Sequence, residues 1–184
     1  MFRKKPKPKT EQDEPREITD VEKARKRTTE RAVRLLAAKP RSIGELRERL
    51  LEKNWTNAEI VEAVLQKLEE FKFVNDEQFA HDFAASKLRQ KPVGKRKLQQ
   101  TLQQKQLDKE TVQHALEQVY EETPEADLVE EAIQKRIRLK GFPQDRDETK
   151  KFYDYLMRQG FSYGLISDKM REIANNVEEF DENE

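Results

Sequence analysis

The feature that most limits what this chain can become is that it repeats itself. Leu46, Leu50, Trp55, Thr56, Ile60 and Val64 recur 52 residues later as Leu98, Leu102, Leu107, Asp108, Val112 and Leu116. A further 54 residues on they return as Phe152, Leu156, Phe161, Ser162, Ile166 and Met170. The Lys39-Pro40 pair also comes back as Lys91-Pro92. Positions that keep their character at such a period mark tandem copies of one supersecondary unit.

Each copy reads as three helices. Ala32, Leu35 and Leu36 share one helical face, Pro40 closes that helix, and Ser42 with Glu45 has the spacing of a capping box. Leu46 and Leu50 stand one turn apart, and Ile60, Val64, Leu65 and Leu68 continue at helical spacing after Thr56, the expected third N-cap. Trp55, Leu107 and Phe161 precede these caps at hydrophobic-staple distance from Ile60, Val112 and Ile166, which predicts a buried indole for Trp55. Asn75 with Gln78 opens the second copy, and Thr123 followed by Pro124 opens the third. In the third copy a loop around Gly141, Phe142 and Pro143 is expected to be about five residues longer than its counterparts. No segment alternates at the period of a strand.

Only 34% of the residues are hydrophobic and 40% are charged, too little apolar surface for a thick spherical core. The expected fold is therefore all-α, an elongated tandem array of three three-helix repeats over residues 21–73, 74–121 and 122–174. Residues 1–9 carry five bases and no acid, and Val177 to Glu184 carry five acids and no base. Neither end has an apolar period, so residues 1–20 are expected as a disordered basic arm and residues 175–184 as a disordered acidic tail. The longest aliphatic run, Leu35 to Ala38, is far too short for a membrane span. With no cysteine and no secretory pattern at the start, a reducing cytoplasm is the expected compartment.

Catalysis is not expected. His81 and His114 are the only histidines, the five glycines form no phosphate-cradling motif, and no metal-ligand spacing occurs, so no cofactor is implied. Charge is segregated instead. Between Phe83 and Leu107 lie Lys87, Arg89, Lys91, Lys95, Arg96, Lys97 and Lys105 with no acid among them, whereas Ala115 to Gln134 holds seven acids and no base. The basic stretch is the candidate contact for DNA phosphates or an acidic protein surface, and neutralisation by the chain's own acidic stretch is the alternative. Tyr153, Tyr155 and Tyr163 are more aromatic surface than a small third core needs, so they are either partner anchors or core filling. A direct DNA-binding module of helix-turn-helix type is a second reading, disfavoured by the acids along EIVEAVLQKLEEF and ETVQHALEQVYEE.

The segments AAKPRSIGEL, VNDEQFAHDF with Gly94, Lys97-Leu98 and Leu102, and YLMRQGFS with Ile166 resemble the RecX regulatory proteins of bacteria. Asp76, Phe79, Ala80, Gly94, Arg158, Gly160, Phe161 and Ser162 carry the resemblance, while Asn54 and Gln106 stand in turns where that family would have glycine. The resemblance implies an all-helical modulator that lies in the groove of the RecA recombinase filament on single-stranded DNA, and a monomer is expected. It implies restraint of strand exchange, ATP hydrolysis and co-protease activity, in DNA repair, recombination and the SOS response.

Overall fold

The computed structural model describes residues 18–181, with the side chains of residue 174 and residues 176–181 left out. The basic arm expected at residues 1–20 thus lies almost wholly outside the described residues, as does the end of the acidic tail. Within them every regular element is a helix. These are α1 (Val21–Ala38), α2 (Ile43–Leu51), α3 (Ala58–Glu70), α4 (Asp76–Gln90), α5 (Lys95–Gln103), α6 (Lys109–Glu122), α7 (Glu125–Lys140), α8 (Arg146–Arg158) and α9 (Tyr163–Asp181). They form three three-helix repeats in tandem, and α9 carries helix to Asp181, into the acidic segment read from sequence as a tail.

The chain divides into two compact units, Met1–Val74 and Asn75–Glu184. The first holds one repeat, closed around Ala32, Leu46, Leu50, Val61, Val64, Leu65, Leu68 and Val74. The second holds two repeats on one continuous core that runs from Ala80 and Leu98 through Leu116 and Ile133 to Leu156, Ile166 and Met170. Burying a side chain of this size contributes about 1.5–3 kcal/mol. The shared core explains why the second and third repeats belong to one unit.

Local chemistry sets the helix starts. The Ser42 hydroxyl accepts from Glu45 N at 3.0 Å and the Asn75 amide oxygen from Gln78 N at 3.0 Å. Asp108 accepts from both the backbone N–H and the hydroxyl of Thr111, which holds its carboxyl below the usual range. Thr56, the expected cap of α3, is instead turned inward. Its hydroxyl lies 3.0 Å from that of Thr28, and because Thr28 donates to Ala24 O, Thr56 must donate to Thr28. Asn57 caps α3 by accepting from Ile60 N at 3.0 Å. Trp55 is consequently not the buried staple expected; it is half-buried, with the Arg27 guanidinium 4.5 Å from its ring centroid.

The third repeat differs in another way from its sequence reading. Pro124 occupies the cap position of α7 rather than the first helical one. The loop before α8 spans 141–145 against 91–94 before α5, and most of the extra chain goes into α8, which has 13 residues where α5 has 9. Asp145 accepts from Glu148 N at 2.8 Å while Glu148 accepts from Gln144 N at 2.9 Å, a reciprocal cap that starts the helix a turn early.

Candidate functional site: the start of helix α5

The basic stretch wraps the turn between α4 and α5, and the second unit holds that turn by three successive backbone groups. Val93 O accepts from the Tyr120 hydroxyl of α6 at 2.8 Å. Gly94 N donates to Gln159 O in the turn between α8 and α9 at 3.0 Å. Lys95 N donates to the carboxylate of Glu125, at the start of α7, at 2.7 Å. Burial, with the negative charge of Glu125 second, raises the Tyr120 phenol well above its ordinary value, so it remains a donor. Each bond comes from a different element of the second and third repeats.

Glycine is required where these bonds meet. A Cβ on Gly94 would lie 2.3 Å from Gly160 C and 2.4 Å from Phe161 N. Gly160 has φ +99, and a Cβ there would lie 2.5 Å from the Lys97 Cβ. The two glycines therefore let the backbones of repeats two and three touch. Gly160 also ends α8 in a Schellman arrangement, with Phe161 N donating to Leu156 O at 3.4 Å and Gly160 N to Met157 O at 2.9 Å.

The seven bases meet different fates on this scaffold. Lys95 and Arg96, in the first turn of α5, are exposed, as are Arg89 and Lys91 at the end of α4. Among the described residues these four enter no ion pair. Lys97 serves the fold: its ammonium donates to Arg158 O at 3.2 Å and lies 3.5 Å from Gln159 Oε1. A cation is favourable there because α8 presents its unpaired carbonyls and the negative end of its dipole. Lys87 and Lys105 both approach the Phe83 ring, at 5.3 and 5.1 Å from its centroid, and Phe83 in turn stacks on Phe79 at 5.8 Å.

Internal neutralisation is partial. Glu125 of the acidic stretch reaches the basic stretch, but it bonds a backbone N–H rather than an ammonium. Glu122 and Glu131 line a groove of about 440 Å³ with Arg89, Lys91 and Lys135, which mixes both signs of charge at the end of α4. The three tyrosines also separate. Tyr155 lies 4.6 Å from the Arg136 guanidinium and so joins α8 to α7. Tyr153 packs against Tyr163 at 5.2 Å, and Tyr163 leaves 63% of its surface to solvent.

The bases are legible in the sequence, and what anchors them is not. Gly94 and Gly160 stand 66 residues apart, and nothing in their spacing says that they touch. Glu125 is one of seven acids between Ala115 and Gln134, with no local signal that it caps a helix in the preceding repeat.

Profiles for the first, second and third three-helix domains of RecX match residues 29–68, 75–116 and 124–170. A regulatory protein RecX of Chlorobium limicola is 34% identical over 144 residues, 77% of this chain and 86% of the relative. That of Prosthecochloris aestuarii is 31% identical over 146 residues, 79% and 93% of the two chains. The crystal structure of RecX from Lactobacillus salivarius superposes with a TM-score of 0.74 at 18% identity, over 83% of this chain and 97% of the other, a likeness of fold. With all three repeats matched in order and such relatives spanned over most of their length, the chain belongs to the RecX family of regulatory proteins.

Proposed function

We propose that the protein regulates the RecA recombinase by binding its filament on single-stranded DNA, and that it mainly inhibits strand exchange, ATP hydrolysis and co-protease activity. It acts as a cytoplasmic monomer in DNA repair and recombination. The observation that carries this reading is the pair Lys95 and Arg96, exposed cations on a backbone held at Val93, Gly94 and Lys95 by three other elements. Cations in a first helical turn oppose the helix dipole, so the stability of α5 does not account for them. With the backbone already held, meeting an acidic surface, whether filament or bound strand, costs only the rotamer freedom of the two side chains. By binding one filament geometry better than another, the protein shifts the filament toward the less active form.

The test is RecA-driven ATP hydrolysis on single-stranded DNA with Lys95→Glu/Arg96→Glu. Lys97 is left in place because it holds the end of α8. The concentration needed for half-inhibition should rise about tenfold or more, which corresponds to roughly 1.4 kcal/mol of lost binding. Unchanged inhibition by a folded double variant would remove these residues from the interface. Co-sedimentation with DNA, with RecA and with RecA on DNA should be strongest in the last case.

A further inference from the structure

A second run of cations lies in α1, in the other unit. Lys23, Arg25, Lys26, Arg27, Arg31 and Arg34 fall within this helix, against the acids Glu22 and Glu30. Among the described residues none of the six forms an ion pair. The same repeat pairs its other arginines: Arg47 lies 2.6 Å from Glu62 and Arg49 lies 2.8 Å from Glu52. Arg34 Nε donates to a backbone carbonyl, that of Glu30, at 3.2 Å, so no acid among the described residues pairs its charge. Four of the six, Lys23, Arg25, Lys26 and Arg27, lie in the first two turns at the positive end of the helix dipole, and the last turn, where bases would stabilise the helix, has none.

Their arrangement is directional. Ala24, Thr28 and Ala32 bury one face of α1. At 3.6 residues per turn the opposite face carries Lys23, Lys26, Arg27 and Arg34 over about 16 Å, with Glu30 and the exposed Val33 on the same face. All four are exposed. Arg27 rests on the half-buried Trp55 ring at 4.5 Å.

We propose that this face of α1 binds single-stranded nucleic acid, its lysines and Arg34 on successive phosphates and the Arg27–Trp55 pair against a base. A row of cations that no acid among the described residues pairs suits a ligand of high linear negative charge. A guanidinium backed by an indole offers a planar surface for stacking, which the scattered carboxylates of an acidic protein would not use. A lipid surface fits less well, because the apolar face that would enter the bilayer is already buried within the repeat. The site is independent of Lys95, Arg96 and RecA.

The experiment therefore omits RecA and titrates the full chain with labelled oligothymidylate, reading affinity by anisotropy and location by emission of Trp55, the only tryptophan. Binding should quench Trp55. In Lys23→Gln/Lys26→Gln/Arg34→Gln the slope of log K against log salt should fall by about 2, at roughly 0.7 per lost phosphate contact on a single strand. The charge-preserving Lys23→Arg/Lys26→Arg/Arg34→Lys should bind like the parent, and Lys26→Gln alone, a mild change at an exposed position, should lower the slope by about 0.7. The proposal is overturned by an unchanged slope in the neutralised variants, by anisotropy that rises without any change at Trp55, or by equal binding to polyglutamate or anionic vesicles. Loss of binding in the charge-preserving variant while its helical circular dichroism is intact would also overturn it.

Discussion

Helices α2 and α5 hold the same place in successive repeats, yet they begin by opposite means. Ser42, the cap of α2, corresponds to Gly94, the cap of α5. Ser42 supplies a hydroxyl to its own helix, whereas Gly94 supplies none and Glu125 of the next repeat takes over by accepting from Lys95 N. The reason is steric, since any side chain at Gly94 meets the backbone of Gly160 and Phe161. A local cap leaves a repeat self-sufficient; giving it up lets two repeats share a core. The first unit accordingly closes with one repeat and the second with two.

Replacing Gly94 by serine separates the two logics most sharply. By capping alone, Gly94→Ser restores what α2 has and should change α5 by only a few tenths of a kcal/mol. By close approach it drives a Cβ into backbone that cannot yield, and the expected loss is about 3 kcal/mol or more. Urea unfolding decides between them. A stable Gly94→Ser protein would mean that the contact between repeats two and three is soft.

Glu125→Ala addresses the borrowed cap itself. Losing it should cost about 1 kcal/mol, close to the cost of Ser42→Ala in the first unit. The two differ in where the effect is felt: amide exchange should quicken at Lys95 in one variant and at Glu45 in the other. Should Glu125→Ala leave exchange at Lys95 unchanged, α5 would not depend on the third repeat for its start.

What the sequence discloses follows the same division. Helical periodicity and the caps at Ser42, Asn75 and Asp108 are local, so residues within one turn of each other announce them. The third repeat's extra residues were visible as a count, but their use in lengthening α8 depends on the reciprocal Asp145–Glu148 cap. Thr56 looks like a cap until Thr28, far back in the chain, claims its hydroxyl. At the candidate site all seven bases were legible as composition. Their sorting is not, because the roles of Lys97 and Lys95 are set by Arg158, Gly160 and Glu125 from the following repeat.

The smallest effect tests how closely corresponding turns match. Asn54, Gln106 and Gly160 are equivalent positions after α2, α5 and α8, and the RecX resemblance would place glycine in each. In the second repeat Gln106 adopts φ 57, the left-handed region where a side chain costs roughly 1–2 kcal/mol. Gly160 meets the same demand with φ 99 at no such cost, while Asn54 is not among the residues with positive φ. Gln106→Gly should therefore relieve strain and raise stability by about 0.5–1 kcal/mol, after allowing for the freedom glycine adds to the unfolded chain. Asn54→Gly has no strain to relieve and should lower stability by a few tenths of a kcal/mol through that added freedom. Opposite signs in thermal melts would establish that the first repeat turns differently at this point. A gain at both positions would mean that Asn54 shares the strain of Gln106 and that the two turns are alike.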